Sequence, residues 1–166
     1  MDLSIGPAHP AQYGALGEMT AEAYLGDGLL DFGAEDPYLE ELRAVARRAA
    51  EAEVLVATDG EGRLMGGVTY VTAGTPWADV ARQGEAEMRM LAVAREVRGR
   101  GVGEALVRAC VDRARVTEGI SGLVLSTQTT MAAAHRIYLR LGFRRTPERD
   151  WTPIPAVPLL TFRLDL

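Results

Sequence analysis

The chain has 166 residues, of which 48% are hydrophobic and 25% are charged, a mixture typical of a globular domain long enough to bury one core. Its single cysteine, Cys110, excludes a disulfide scaffold, and no apolar run is long enough to cross a membrane. All 18 basic residues are arginine, which excludes a P-loop and Schiff-base chemistry because both need a lysine.

The predicted elements begin with a short strand and two helices, after which the apolar period changes to that of strands. The turn at 59–62 joins two of these strands as a hairpin. In chain order, the predicted strands cover residues 3–5, 54–57, 64–71, 85–93, 123–125, 143–145 and 160–164. The predicted helices cover residues 11–25, 37–52, 101–118 and 131–141. The pattern predicts one α/β domain over residues 1–166 with a mixed sheet, in the order β-α-α-β-β-β-α-β-α-β-β.

Charge is distributed unevenly along the chain. Residues 1–62 carry thirteen acids against three arginines, whereas residues 63–166 carry ten acids against fifteen arginines. This asymmetry suggests two different ligands, one of them cationic. Nucleic acid is not expected as a partner, because the net charge is −5 and no stripe of basic and aromatic residues is present. The first residues lack the layout of a signal peptide, so we expect a cytoplasmic protein without a membrane partner.

A glycine-rich segment, V-R-G-R-G-V-G over residues 97–103, lies between a predicted strand and a predicted helix. Alternate glycines let the backbone approach a ligand, and the helix start offers unpaired N–H groups, an arrangement suited to a pyrophosphate. Arg98 and Arg100 add positive charge. A flexible turn is the alternative. A nucleotide-dependent oxidoreductase fits less well, because its fingerprint is spaced G-x-G-x-x-G and follows the strand directly.

Two motifs together resemble those of the GNAT N-acetyltransferase superfamily. The first is R-x-x-G-x-G, formed by Arg98, Gly101 and Gly103, after the strand that ends at 91–93. The second is A-x-x-h-Y-x-x-h-G-F over residues 134–143. The resemblance is strongest over residues 85–145, and it implies a GNAT-like fold with a mostly antiparallel sheet and flanking helices.

The resemblance implies acetyl-CoA as co-substrate. In the family, backbone groups of the strand before the loop bind the pantetheine arm, and here these belong to Leu91, Ala92 and Val93. The pyrophosphate would be bound at the following loop and helix start, by Arg98, Gly99, Arg100, Gly101, Val102, Gly103 and Glu104. We therefore expect a side chain introduced at Gly101 or Gly103 to obstruct the pyrophosphate.

The resemblance also implies two catalytic residues. Tyr138 would protonate the departing CoA thiolate, and a core residue with a hydrogen-bonded hydroxyl is the alternative. Glu87 would be the general base, directly or through water, with Glu85 as a weaker substitute; a strand glutamate paired with an arginine is the alternative. In a regular strand, Glu87 and Leu91 point to the same side, and a bulge would change this.

Two positions depart from the family pattern: Met131 stands where many members have asparagine, and Ser126 is not the carboxylate that some members carry there. We interpret the chain as an N-acetyltransferase that moves an acetyl group to a primary amine by direct transfer in a ternary complex. A non-catalytic module that binds acyl-CoA is the alternative. The acceptor, a small molecule or a protein amine, stays open, and so does a homodimer.

Overall fold

The computed structural model describes residues 2–166. Its helices are α1 (Tyr13–Gly26), α2 (Tyr38–Arg43), α3 (Val45–Glu51), α4 (Val102–Val116) and α5 (Ala132–Arg140). Its strands are β1 (Ser4–Pro7), β2 (Glu53–Thr58), β3 (Leu64–Thr72), β4 (Glu85–Val93), β5 (Gly122–Gln128), β6 (Arg144–Arg145) and β7 (Leu159–Asp165). Within this part of the chain, no helix is both long and apolar enough to span a membrane.

The strands form one seven-stranded sheet in the order β1-β2-β3-β4-β5-β7-β6, counted over residues 2–166. Neighbouring strands are antiparallel except β4 and β5, which are parallel. Helix α4 connects these two strands, because a parallel pair needs a long crossover. The predicted class of fold, a mixed and mostly antiparallel sheet with flanking helices, is confirmed.

The predicted helix over 37–52 is wrong in one respect, because the chain breaks it at Ala44 into α2 and α3. Ala44 has φ −79° and ψ 52°, outside the helical region. The guanidinium of Arg48, only 2% exposed, donates to the carbonyl oxygens of Glu41 and Leu42 at the end of α2. The buried arginine therefore satisfies carbonyl groups that a continuous helix would have paired along its own axis.

Strands β4 and β5 stay paired only over their first halves. Their register runs from Glu85 opposite Gly122 to Met88 opposite Leu125 and then ends. Beyond that point β4 remains paired with β3, and β5 remains paired with β7. The sheet therefore opens between the second halves of the two parallel strands, and backbone edges face each other across this opening.

A β-bulge interrupts β4 just where the sheet opens. Between Gly67 opposite Ala92 and Thr69 opposite Arg89, β3 advances two residues while β4 advances three. Met90 takes the strained conformation, with φ 57°. The extra residue reverses the alternation of side chains, so the faces before and after the bulge are exchanged.

The two faces of the sheet bury different helices. On one face, Ala86, Met88, Leu91 and Val93 pack in the core built around α4 and α5. On the other, Met90 packs with residues of α1 and α2. Glu87 shares this second face by alternation, so Glu87 and Leu91 point to opposite sides of the sheet. The expectation that they share a face is wrong, because of the bulge.

Candidate active site

A cleft of about 760 Å³ lies at the opening between β4 and β5. Its walls come from the α1–α2 connection with the adjoining parts of both helices, from α3, from the β3–β4 loop, from the second halves of β4 and β5, and from the β6–β7 loop. Four aromatic side chains line it, namely Tyr24 near the end of α1, Tyr38 at the start of α2, Trp77 of the β3–β4 loop and Trp151 of the β6–β7 loop. The site therefore combines an apolar wall with the exposed backbone edges of two strands.

The cleft carries more acidic than basic side chains. Five carboxylates line it, against Arg47 and Arg89. Two of the five are used internally: Asp36 accepts hydrogen bonds from the backbone N–H groups of Phe32 and Tyr38, and Asp79 forms an ion pair with Arg89. Three more are exposed and form no ion pair within residues 2–166, namely Asp31, Glu41 and Glu51. A cleft of this charge favours a cationic occupant.

The glycine-rich segment ends at the start of α4. Gly99 and Gly101 have φ values of 78° and 83°, and the space where a side chain would stand is open at both positions. Gly101 is the N-cap of α4 and provides no side chain to cap it. The first helical hydrogen bond runs from the N–H of Ala105 to the carbonyl of Gly101, so the N–H groups of residues 102–104 are left for another acceptor.

Gly103 has a different role from Gly101. A Cβ atom at Gly103 would lie 3.4 Å from Cδ1 of Ile137 and 3.6 Å from Cγ2 of Val93. The missing side chain thus permits close packing of α4 against α5. The expectation that a side chain at Gly103 would obstruct the pyrophosphate stays a prediction, and such a side chain would also contact Ile137 and Val93. At Gly101 nothing lies within 4 Å of the missing side chain, and the same expectation stays a prediction there.

Charged side chains surround this helix start. Arg98 donates to Asp27 at 2.8 Å and to the carbonyl of Val93 at 3.4 Å, which ties the glycine segment to the end of α1. Arg100 is exposed. The carboxylate of Glu104 accepts a hydrogen bond from Arg140 at 2.6 Å, and this bond is the largest of the causes that lower its pKa. Its negative charge is therefore compensated beside the free N–H groups.

Tyr138 belongs to α5 and is buried in the core. It is 4% exposed and packs against Phe143 and Phe162, with ring centroids 5.7 and 5.6 Å away. Burial raises the pKa of its hydroxyl, so the group is protonated at neutral pH. Burial, Tyr38 and Tyr138 together raise the pKa of Tyr24, whose side chain lines the cleft. Tyr138 is therefore a protonated hydroxyl in the core and is not among the side chains that line the cleft.

Glu87 is completely buried, with 0% of its surface exposed. Its Oε1 atom accepts hydrogen bonds from three consecutive backbone N–H groups, those of Asp79, Val80 and Ala81, at 2.9, 2.9 and 3.0 Å. Its Oε2 atom is buried and has no partner within residues 2–166. Burial raises the pKa of this carboxyl. A general base must reach the proton that it takes, and Glu87 has no direct contact with the cleft.

Glu85, the substitute considered for the base, is committed elsewhere. Arg149 donates to both of its carboxylate oxygens at 2.8 Å, and Arg163 and the N–H of Arg82 each donate at 2.9 Å. Although burial opposes ionisation, these hydrogen bonds hold the pKa of Glu85 at about 2. A carboxylate with this pKa and no free oxygen is a poor proton acceptor.

Arg89 is the main residue that sequence reasoning missed at this site. Its guanidinium donates to the carbonyl of Trp77 at 2.8 Å and to the hydroxyl of Tyr38 at 3.1 Å, and it pairs with Asp79 at 3.1 Å. It thereby joins the β3–β4 loop, α2 and the floor of the cleft. The alternation of β4 puts Arg89 on the same face as Glu87, and this is the sequence signal from which its place at the site follows.

The second half of β5 supplies the opposite side of the cleft. Gln128 donates to the carbonyl of Leu29 at 2.7 Å and so links β5 to the α1–α2 connection. Met131, at the position where asparagine is common, lines the cleft and accepts a weak hydrogen bond from Thr127 at 3.4 Å. Ser126 lines the cleft as well. No group of three or more metal-binding side chains occurs in residues 2–166.

An open sheet that splays between two parallel strands beside an uncapped helix is the architecture of acetyltransferases of the GNAT type. The sequence matches the acetyltransferase (GNAT) family over residues 18–143, and the chain belongs to that family. This membership decides against the oxidoreductase that the glycines alone left open.

Two relatives are similar over part of their length. One is N-acetylaspartate synthetase of Danio rerio, which is 35% identical over 71 residues, 43% of this chain and 25% of that protein. The other is an uncharacterized N-acetyltransferase of Schizosaccharomyces pombe, which is 35% identical over 104 residues, 63% of this chain and 59% of that protein. The aligned regions thus span less than two thirds of either relative.

Solved structures are similar over nearly the whole chain. The structure of yncA from Salmonella typhimurium, which contains its cofactor acetyl-CoA, has a TM-score of 0.71 and 21% identity, covering 100% of this chain and 95% of that one. A GCN5-related N-acetyltransferase from Kribbella flavida has a TM-score of 0.71 and 25% identity, covering 99% and 98%. NAA60 of Arabidopsis thaliana, in complex with a bisubstrate analogue, has a TM-score of 0.72 and 19% identity, covering 98% and 97%.

Proposed function

We propose that the chain is an acetyl-CoA-dependent N-acetyltransferase that transfers an acetyl group to a primary amine within a ternary complex. The observation that carries this proposal is the open space at Gly99 and Gly101, next to unused N–H groups at the start of α4. These groups lie at the end of the strand that borders the cleft. A ligand with a phosphate at one end and an extended arm fits this arrangement of free N–H groups followed by a strand edge.

The residues present suit acetyl-CoA. Backbone N–H groups of residues 99–104 would bind the pyrophosphate, and the exposed Arg100 adds positive charge. The edge of β4 at 91–93 would bind the pantetheine arm, because β5 has already diverged there. The co-substrate supplies a thioester, whose carbonyl carbon the amine attacks and whose sulfur leaves as a thiolate. The yncA structure, which contains acetyl-CoA, supports the assignment.

Tyr138 is proposed as the acid of this reaction. When the carbon–sulfur bond breaks, its electron pair stays on sulfur, and the Tyr138 hydroxyl would donate a proton there. The raised pKa keeps this hydroxyl protonated until the thiolate forms. A thiol has a pKa of about 8.5, so protonation helps it to leave at neutral pH.

The acceptor is proposed to be a cationic amine that enters from the acidic side of the cleft. The exposed carboxylates of Asp31, Glu41 and Glu51 would attract it, and the aromatic wall would pack against its carbon skeleton. The ammonium must lose one proton before its nitrogen can attack. Glu87 is buried and has no direct contact with the cleft, so water is proposed to take this proton.

The direct test is an assay of free CoA release with acetyl-CoA and a panel of primary amines that includes aromatic, polycationic and zwitterionic members. Formation of one acetylated amine for each CoA released supports the proposal. If acetyl-CoA binds but no amine of the panel is acetylated, the alternative of a non-catalytic acyl-CoA-binding module becomes the better account.

The glycine segment yields the first prediction. A methyl group at Gly101 would stand in the open space beside the free N–H groups of α4, so Gly101→Ala should weaken acetyl-CoA binding at least about tenfold, or about 1.4 kcal/mol. Titration calorimetry measures the affinity directly.

A matched control comes from the other end of α4. Gly119 also has a positive φ, 81°, with nothing within 4 Å of its missing side chain, so Gly119→Ala carries the same kind of backbone strain. Its acetyl-CoA affinity should equal that of the wild type. If both variants lose the same acetyl-CoA affinity, the cause is backbone strain, and Gly101 does not belong to the binding site.

A further inference from the structure

The β3–β4 loop forms one wall of the cleft and is held in large part by side chains of β4. Pro76, Trp77 and Asp79 of this loop line the cleft. The side chains that hold the loop stand at alternate positions of β4, namely Glu85, Glu87 and Arg89. Because alternate residues of a strand share a face, these three form one row beneath the loop.

Glu87 stands at the centre of this row. It accepts three consecutive backbone N–H groups on one oxygen atom, and nothing else within residues 2–166 accepts from those of Asp79, Val80 and Ala81. An N–H group that points to a buried site and loses its acceptor there destabilises the segment that carries it. Without an acceptor at Glu87, the segment would therefore lose the interactions that keep it in its present position.

The row also connects the loop to the opposite wall. Arg149, in the β6–β7 loop that carries Trp151, donates both to Glu85 and to the carbonyl of Val80 at 2.7 Å. Trp77 is further fixed because the guanidinium of Arg47 lies 5.0 Å from its ring centroid. A change at Glu87 is thus transmitted to aromatic residues that contact the cleft.

We propose that Glu87 is a positioning residue, which fixes the wall formed by residues 76–79 and thereby sets the affinity for the acceptor amine. This inference rests on the proposed function, and it assigns the carboxylate a role as hydrogen-bond acceptor. The atom responsible is Oε1, which accepts the three backbone N–H groups. The acetyl-CoA segment at 99–104 lies outside the row, so its affinity should not depend on Glu87.

Two variants separate positioning from base catalysis. Glu87→Gln keeps an oxygen that can accept the N–H groups but cannot take a proton, whereas Glu87→Leu removes both abilities. Positioning predicts that the Gln variant retains acceptor KM and kcat within about threefold, while the Leu variant raises acceptor KM about tenfold. Base catalysis predicts that both variants lose about 10²-fold or more in kcat.

A second readout does not require an acceptor. In a Trp151→Phe background, Trp77 is the remaining tryptophan, and acrylamide quenching of its fluorescence reports the closure of the loop. The Leu variant should increase the quenching constant at least about twofold, and the Gln variant should leave it unchanged. Acetyl-CoA affinity, measured by calorimetry, should stay at the wild-type value in both.

Asp59 provides the matched control, because it also holds a turn by accepting backbone N–H groups, those of Glu61 and Arg63 at 2.9 Å. Asp59→Leu should leave the quenching of Trp77 unchanged. Equal quenching in the Gln and Leu variants of Glu87 would overturn the inference, even if the wild type transfers acetyl groups. Failure of the wild type to bind acetyl-CoA would instead overturn the proposed function.

Discussion

Replacement of Tyr138 by phenylalanine is expected to reduce kcat about 10²-fold while acetyl-CoA affinity changes by no more than a few-fold. The change removes one hydroxyl and keeps the ring that packs between Phe143 and Phe162. Packing is therefore preserved, and the loss falls on the step in which the thiolate leaves. Free CoA release under saturating acetyl-CoA measures kcat, and calorimetry measures the affinity.

Tyr70 offers the matched control for this substitution. It is also buried, and its hydroxyl exchanges a hydrogen bond with Thr117 at 2.9 Å, away from the cleft. Tyr70→Phe should lower stability slightly, by about 1 kcal/mol, and leave kcat unchanged. If Tyr138→Phe has the activity of the wild type, Tyr138 is a core residue and another group protonates the thiolate.

The glycine segment was predictable because its chemistry is local. A helix start without a capping side chain, preceded by glycines at alternate positions, needs no distant partner to form an anion site. The structure places Gly99 and Gly101 with positive φ, as this reading requires. Gly103 could not be separated from them by sequence, because its close neighbour Ile137 lies in another helix.

The bulge in β4 could not be predicted for a physical reason. Bulges are commonly signalled by glycine, and here the left-handed conformation falls on Met90. The pairing of β4 with β3 on one side, and its separation from β5 on the other, impose that conformation. A sequence pattern shows the alternation of 85, 87 and 89, but not the point at which the alternation reverses.

The partners of the two glutamates were also hidden from sequence reasoning. Glu87 binds backbone N–H groups, which carry no side-chain signature. Glu85 binds Arg149 and Arg163, more than sixty residues further along the chain. The partners of Glu85 are distant in sequence, and those of Glu87 are main-chain donors. For both reasons, the sequence does not distinguish a structural role of these glutamates from a catalytic one.

The buried pair of Glu85 and Arg149 gives the largest expected effect on stability. Their side chains are each only 8% exposed, and Glu85 is also bonded to Arg163. Glu85→Leu removes the carboxylate that both arginines bind, so their guanidinium groups lose this ion-pair partner. Breaking a buried pair in this way costs about 3–5 kcal/mol of unfolding free energy. Urea denaturation of the wild type and the variant measures this difference.

The same pair predicts a dependence on pH. The pKa of Glu85 is about 2 in the folded protein, below the value of about 4.3 for an unfolded glutamate. Its stabilising contribution is therefore complete above the unfolded pKa and is lost as the pH falls through the folded one. Asp150, whose folded pKa is also about 2, titrates in the wild type and in Glu85→Gln alike. Its contribution therefore cancels when their unfolding free energies are subtracted. The gap in unfolding free energy between wild type and Glu85→Gln should accordingly shrink between about pH 5 and pH 2. A gap that is constant over this range would show that the ionised Glu85 carboxylate does not stabilise the fold.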